Sequence, residues 1–364
     1  MKILYVGHAY MVTNGHKKFS YLSEMRHEVS VIRPHKWYAP AWSRTLMPEP
    51  MPSGIRSREI KVFFEGKSGG YFYSPFVLLR EVKLLKPDVI VIEQETFSIS
   101  AFQISILAKL LKIPYITFSW ENIKKDLGWR KWTNRIVVTN AAGAIAGNSA
   151  AAKIVQNDGF EGNVEVITQF GVDDSSFFPN ENDKSESIAK FVYIGRLVEE
   201  KGIKSMINAF ISLNEKNATL DIVGGGPLEN YIRDIAQEYP QINFLGPVRH
   251  QEVPEVIRQY DILILPSIGS DSWDEQFGLV LAQAMLSGLA VIGSDNGAIP
   301  DVIQDKELLF RSGSEIEISE RIKALLDAEY RKTKAKDLFI RAKREYTCYS
   351  VAKKSESYIK EVLE

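Results

Sequence analysis

The densest chemistry in this sequence lies in one stretch, Asp274-Glu275-Gln276-Phe277-Gly278-Leu279, which follows the strand-like run Ile262–Leu265 and then Pro266-Ser267. A strand end, an acidic loop and a helix start in that order set Glu275 beside the unpaired N–H groups of a turn at Phe277, Gly278 and Leu279. Such N–H groups take phosphate or sugar oxygens, and a carboxylate accepts hydrogen bonds from sugar hydroxyls. Gln283, eight residues beyond Glu275, lies two turns further along the same segment. Upstream, the run Phe191–Ile194 leads into Gly195-Arg196-Leu197-Val198-Glu199-Glu200-Lys201-Gly202 and then a helical pattern. Two cations five residues apart beside a helix start suit a diphosphate, because the helix dipole and the unpaired N–H groups favour anions. Taken alone, the same two residues would read as solvated charges beside two glutamates.

The first half offers weaker signals. Gly7-His8 closes the first strand-like run, and Asn14-Gly15-His16-Lys17 precedes a helical pattern, at the carboxyl end of a parallel strand where open α/β sheets bind ligands. Ordinary turn chemistry accounts for those glycines equally well. Ser119-Trp120-Glu121-Asn122 follows the run Tyr115–Phe118; Glu121 there is either a base for an incoming hydroxyl or a capping or ion-paired carboxylate. The turn Val223-Gly224-Gly225-Gly226-Pro227 invites comparison with a dinucleotide fingerprint, but the third glycine would fall at position 229, which is Glu229. That argues against a nicotinamide or flavin oxidoreductase, and the absence of a GxxxxGK[ST] loop excludes a P-loop NTPase. One cysteine, Cys348, and five histidines without paired spacing make a metal centre unexpected.

What must position these residues is an α/β scaffold. Short aliphatic runs at Ile3–Val6, Val29–Ile32, Val89–Ile92, Tyr115–Phe118, Gly143–Ala146 and Val164–Ile167 alternate with helical patterns such as Phe19–Met25, Val77–Leu85 and Ile104–Leu111. A second series follows: Lys190–Ile194, Thr219–Val223, Ile242–Leu245, Ile262–Leu265 and Ala290–Gly293, separated by patterns such as Lys204–Asn214 and Gly278–Leu286. The alternation predicts two doubly wound parallel-sheet domains, which suits a chain of 364 residues. The polar stretch Asp173–Ser187 reads as a linker, with a boundary near Pro179. We therefore expect an N-terminal domain over 1–175 and a C-terminal domain over 176–345. An amphipathic helix over 346–364, with Tyr346, Val351, Tyr358 and Val362 on its packing side, is expected to return to the first domain.

The net charge of −1 hides an asymmetry: residues 1–170 hold 22 Lys and Arg against 14 Asp and Glu, whereas residues 171–364 hold 23 against 32. Lys17, Lys18, Arg33, Lys36, Arg44, Arg56 and Arg58 cluster early, interleaved with Trp37, Tyr38 and Trp42. This predicts contact of the basic N-terminal domain with an anionic membrane face, a phosphate-bearing lipid or an acidic glycan, or merely a solvated basic surface over packed aromatics. No nucleic-acid-binding signature accompanies the charge. No apolar run reaches the roughly 18 residues of a membrane span. The start MKILYVGHAY enters a strand pattern without the order of a secretory signal, so the expected location is the cytoplasm.

Taken together, these residues resemble the retaining glycosyltransferases of family 4, in the GT-B superfamily of two Rossmann-like domains facing across a cleft, also called glycosyltransferase group 1. The resemblance rests on Gly195-Arg196-Leu197 with Glu200-Lys201-Gly202, Gly224–Pro227, Pro266-Ser267, and Glu275 through Phe277-Gly278-Leu279 to Ala284-Met285 and Gly288. Phe170-Gly171-Val172-Asp173 before Phe178-Pro179 resembles the family's passage out of the first domain. It implies that Arg196 and Lys201 hold the donor diphosphate and stabilise the leaving group without a metal. Glu275 would then position the donor sugar, with Gly195 and the backbone of Phe277, Gly278 and Leu279 around sugar and phosphates, and Val248 and Arg249 near the base. It also implies retention of anomeric configuration by front-face attack, with no paired carboxylates.

The sequence departs from the family at three places. The glutamate that binds the ribose is here Gln283, which can hydrogen-bond a hydroxyl but without the charge. The histidine often found after the strand that Tyr115–Phe118 matches is replaced by Ser119-Trp120-Glu121-Asn122, so Glu121 is the candidate acceptor base, with Trp120 and Asn122 beside it. The paired glycines of the first loop survive only as Asn14-Gly15, leaving Gly15 and His16 on the acceptor side. The expected activity is transfer of a hexose, glucose or a relative, from a UDP-sugar to a cell-envelope or exopolysaccharide glycan or a lipid-linked saccharide. No cofactor is expected beyond that co-substrate. A non-catalytic nucleotide-sugar-binding scaffold and a nucleotide-sugar epimerase on the same fold are the alternatives.

Overall fold

The computed structural model describes every residue of the chain except 14, 40–43, 68, 125–127, 181–187 and 272. Asn14, Trp42 and the C-terminal part of the expected linker lie outside the described residues. The chain divides into two compact units, Met1–Gly171 with Cys348–Glu364, and Val172–Thr347.

The first unit is a seven-stranded sheet of β1 (Lys2–Val6), β2 (Glu28–Pro34), β3 (Arg56–Ile60), β4 (Val89–Ile92), β5 (Tyr115–Ser119), β6 (Gly143–Ala146) and β7 (Val164–Val166). Its order is β7-β6-β5-β4-β1-β2-β3 with every pairing parallel. The central strand β4, Val89-Ile90-Val91-Ile92, is buried along its whole length, as a parallel strand covered on both faces must be. The covers are α1 (Lys17–Glu24), α2 (Pro75–Leu85), α3 (Ile99–Leu111), α4 (Arg130–Thr139) and α5 (Ser149–Asn157). Two short antiparallel hairpins, Trp37–Ala39 with Arg44–Leu46 and Val62–Phe63 with Phe72–Tyr73, were not legible as strands.

The second unit is a six-stranded sheet of β8 (Ala189–Ile194), β9 (Ala218–Val223), β10 (Ile242–Gly246), β11 (Ile262–Leu265), β12 (Ala290–Ser294) and β13 (Leu309–Phe310), ordered β10-β9-β8-β11-β12-β13. It too is wholly parallel. Around it lie α6 (Ile203–Leu213), α7 (Glu229–Glu238), α8 (Val253–Ile257), α9 (Leu279–Leu286), α10 (Ile299–Ile303), α11 (Glu315–Ala324) and α12 (Ala328–Glu345). Helix α9 is apolar except for Gln283 and sits in the core, which explains a segment with no polar face.

The units divide a few residues earlier than Pro179, at Gly171/Val172. Val172 N donates to Tyr346 O at 2.7 Å and Phe177 is buried in the second core, so the chain from Val172 onward is already part of the second unit. Likewise Tyr346 does not belong to the tail: its ring meets Phe277 at 5.5 Å within the second unit. The tail helix α13 (Cys348–Leu363) packs Val351, Ala352, Tyr358 and Ile359 into the core of the first unit. There Tyr358 Oη accepts from Ala144 N at 2.9 Å and donates to Asn163 O at 3.0 Å.

The expected basic face is corrected by burial. Lys18, Arg33 and Trp37 are inside the first unit, so the early cluster is not one surface. Arg33 donates from Nη1 to Tyr10 O at 2.8 Å and from Nη2 to Glu59 at 2.9 Å, which is how its charge is accommodated there.

Candidate functional site

In each sheet the strand order reverses beside the first strand of its series: between β1 and β4, and between β8 and β11. Helices diverge from the sheet there, leaving the loops at the carboxyl ends free to converge on a ligand. In the second unit those loops are Gly195–Gly202 after β8, Gly224–Leu228 after β9 and Pro266–Gly278 after β11.

The three loops are knitted together through their backbones. Leu197 N donates to Gly225 O at 3.0 Å, Leu228 N to Leu197 O at 3.1 Å and Ile268 N to Glu200 O at 2.9 Å. Two glycines make the approach possible. A Cβ on Gly224 would lie 1.8 Å from Gly195 O, and one on Gly202, at φ +65°, would lie 1.9 Å from Pro266 O.

This closeness joins residues far apart in sequence. Lys201 Nζ lies 2.5 Å from Glu275 Oε2, and both side chains are largely buried, at 12% and 11% exposure. Ser267 Oγ donates to the same Oε2 at 3.0 Å, and Trp273 places its ring 4.6 Å from Lys201 Nζ. Asn296, just past β12, holds the loop from below: its Oδ1 accepts from Glu275 N at 2.9 Å and its Nδ2 donates to Asp274 Oδ1 at 2.7 Å. Ala298 N adds a bond to Glu275 O at 2.8 Å. The Glu275 carboxylate is therefore fixed in position and charge-compensated before any ligand arrives.

Arg196 is the complement. It is exposed, and among the described residues it forms no ion pair. Its carbonyl accepts from Tyr193 Oη at 2.8 Å. The Tyr193 phenol is pushed well above its ordinary range by burial first and by the Glu275 charge second, so it is a neutral donor that anchors the Arg196 turn. One paired cation, one unpaired cation and one fixed carboxylate thus cluster at the switch point, an arrangement able to neutralise a phosphate group and hold hydroxyls beside it.

Gly278, at φ +72°, caps α9, and the helix starts at Leu279 as the spacing predicts. Gln283 is 6% exposed, and among the described residues its side chain makes no hydrogen bond. Val248 is half-buried against the core, while Arg249 is exposed and closed on Glu252, with Nε 2.9 Å from Oε1. Gly195 lies so close to Tyr193 that a Cβ there would fall 2.8 Å from its hydroxyl. Glu229, which fails the dinucleotide pattern, accepts from Gly226 N at 3.0 Å and so occupies the turn with its own carboxylate.

In the first unit, Glu95 past β4 gathers the end of β5: Ser119 Oγ donates to it at 2.8 Å and Trp120 N at 3.1 Å. Glu121 is buried, with its N–H on Ser119 Oγ at 3.1 Å, and Asn122 follows half-buried. Trp120 lies flat against Gly147 and donates from Nε1 to Gln169 Oε1 at 2.9 Å. His16 is 2% exposed, and both ring nitrogens face main-chain carbonyls, Tyr10 O at 3.1 Å and Pro50 O at 3.3 Å. Gly15 packs on the Phe170 ring. Both are packing pieces of the first loop.

Sequence reasoning missed a buried ion pair at the switch point of the first unit. Lys18 Nζ lies 2.7 Å from Glu93 Oε1 and donates to Gln169 O at 2.9 Å, ringed by Tyr5, Tyr10, Phe19 and Phe170. Tyr10 Oη donates to the other Glu93 oxygen. The position of Glu93, first residue after a central strand, was the available signal. Asn296 and Trp273 were missed too; Asn296 lies in a turn at another strand end, where the same topological rule points. Among the described residues no three His, Cys, Asp or Glu side chains gather as a metal group, and no helix is long and apolar enough to cross a membrane.

Residues 174–345 match the family of glycosyl transferases group 1. Over 279 residues, 68% of this chain and 52% of the relative, the sequence is 24% identical to the sulfoquinovosyl transferase SQD2 of Arabidopsis thaliana. The chain spans between 29% and 52% of the length of the first three curated relatives it matches. Among solved structures, sucrose-phosphate synthase from Thermosynechococcus elongatus superposes with a TM-score of 0.71 at 16% identity, covering 100% of this chain and 99% of that one. Anabaena Alr3699/HepE, solved in complex with UDP, gives 0.72 at 14% identity, covering 99% and 100%. These likenesses establish the GT-B fold.

Proposed function

We propose that this chain, whose residues 174–345 match the glycosyl transferases group 1, moves a hexose from a UDP-sugar to a glycan or lipid-linked saccharide of the cell envelope or an exopolysaccharide. The observation that carries the reading is the Lys201–Glu275 pair beside the unpaired Arg196 at the switch point of the second sheet. Lys201 and Arg196 bind the diphosphate. Glu275, released in part from Lys201 as the phosphate takes that cation, accepts hydrogen bonds from the sugar hydroxyls.

When the bond between the anomeric carbon and the phosphate oxygen breaks, its electron pair leaves with the nucleoside diphosphate, whose growing charge faces the two cations. Preorganised charges of this kind stabilise the transition state without reorganising. The acceptor hydroxyl attacks the face the phosphate leaves, and its proton passes to the departing phosphate oxygen or to a carboxylate such as Glu121. The product keeps the donor's anomeric configuration, and no metal takes part. The N–H groups opening α9 point to the sugar and phosphates, and Gln283 hydrogen-bonds the ribose. The HepE complex with UDP supports UDP as the nucleotide. Proton NMR of the glycoside formed from UDP-glucose in the presence of EDTA tests the reading: retained configuration is expected, and an inverted product or an absolute need for metal would overturn this mechanism.

A further inference from the structure

The first unit carries an aromatic and basic surface that none of the chemistry above uses. Phe63, Phe64, Phe76, Trp129 and Trp132 turn their rings to solvent, at 39%, 63%, 87%, 69% and 66% exposure. Single exposed apolar side chains are ordinary, but five large aromatics in linked segments are not. Phe63 and Phe64 lie 5.1 and 6.1 Å from the ring of Phe72 across the Val62–Phe63 hairpin. Ser74 N donates to Lys61 O at 2.9 Å, which brings the start of α2, with Phe76, beside that hairpin. Arg130, the first residue of α4, donates from Nη1 to Gly69 O at 3.3 Å, which sets Trp129 and Trp132 next to the hairpin loop.

Phe64 is held at φ +59°, a conformation that bulky residues rarely adopt. Its ring is exposed as well, so neither burial nor backbone preference explains it. Among the described residues, basic side chains stand in the same segments as the rings. Lys61, Lys67, Lys124 and Lys131 are exposed, Lys61 Nζ lies 5.4 Å from the Phe63 ring, and the nearby Glu65 is taken by Lys36 at 3.2 Å.

We infer that this surface docks the first unit on a bilayer with anionic headgroups, the rings entering the interfacial zone and the lysines meeting lipid phosphates. Aromatic rings with long cationic side chains around them suit that zone. Phe76 is the most exposed of the five rings, and with Phe63 and Phe64 it offers no hydroxyl or N–H to a soluble glycan, which together with the lysines beside them sets an anionic bilayer above a polysaccharide as the partner. The inference deepens the reading of a lipid-linked acceptor and rests on it for its purpose, so the test follows vesicle and nucleotide binding separately.

The full chain is sedimented with vesicles of phosphatidylcholine, alone or mixed with phosphatidylglycerol. Co-sedimentation with the anionic vesicles is expected, weakening as salt rises. Each lysine at such a surface strengthens binding about fivefold, so Lys61→Glu with Lys67→Glu should weaken it more than tenfold. Phe64→Ser with Phe76→Ser should weaken it comparably, with the thermal shift caused by UDP unchanged in both double variants. A wild-type chain that stays in the supernatant, variants that sediment like wild type, or capture of a soluble polysaccharide in place of vesicles would each overturn the inference. Vesicle binding without any nucleotide-induced shift would support this surface and contradict the donor reading instead.

Discussion

Lys201 and Glu275 stand 74 residues apart in the chain and 2.5 Å apart in the structure. The proposed function turns on this pair, because the cation assigned to the phosphate and the carboxylate assigned to the sugar hold each other in place. Arg196 has no such partner among the described residues, and this difference gives the two cations different mutational signatures.

Arg196→Ala should lower turnover about two to three orders of magnitude with no measurable change in melting temperature, because a charge aimed at the leaving group is removed from an exposed position. Lys201→Ala should lower turnover similarly and lower the melting temperature as well, because it strands the largely buried Glu275 carboxylate. Steady-state kinetics with differential scanning calorimetry of both variants checks this. Equal thermal behaviour would show that the pair contributes nothing to the fold.

Asn296→Ala removes the acceptor of Glu275 N–H and the donor to Asp274 together. A cost of about 1–3 kcal/mol in stability is expected for the buried amide left unsatisfied. Affinity for UDP should stay unchanged while affinity for the UDP-sugar falls, since Glu275 is assigned to the sugar. Asn296→Asp restores an acceptor but opposes the Asp274 carboxylate, and it should not rescue. Calorimetric titration with both ligands separates these outcomes.

Gln283→Glu should tighten UDP binding about tenfold, since the hydrogen bond a ribose hydroxyl donates to a carboxylate is roughly twice as strong as one it donates to an amide oxygen. Without nucleotide the same variant should melt lower, because position 283 is buried among apolar neighbours in α9. A variant that melts lower both with and without UDP would place Gln283 away from the ribose.

Tyr358→Phe should destabilise the chain by about 1–3 kcal/mol in urea, since it leaves the buried Ala144 N–H of β6 without its acceptor. An unchanged midpoint would mean that α13 contributes only apolar packing to the first unit.

The strands that position the site were legible because they are apolar on both faces, as in Val89-Ile90-Val91-Ile92, and glycines punctuate their ends. β3 was not: Arg56-Ser57-Arg58-Glu59-Ile60 is an edge strand buried mainly at Ile60, so neither a continuous apolar run nor strict alternation marks it. The loops carrying Arg196, Lys201 and Glu275 were legible as motifs, yet the pairing of Lys201 with Glu275 was not, since it depends on which loops the strand order brings together. Lys18 and Arg33 were misread for the same reason. A cation buried against one specific carboxylate looks, in sequence, like a cation on the surface. Trp273 and Asn296 act only through contacts with other loops, and composition carries no trace of those.

The most direct test of the central claim is isothermal titration of the purified chain against UDP, GDP and ADP with EDTA present, repeated on Arg196→Ala. Selective, EDTA-insensitive binding of UDP is expected, weakened at least about tenfold in the variant by the loss of a charge-assisted contact to phosphate. Binding of none of the three, or UDP binding untouched by the substitution, would contradict the claim.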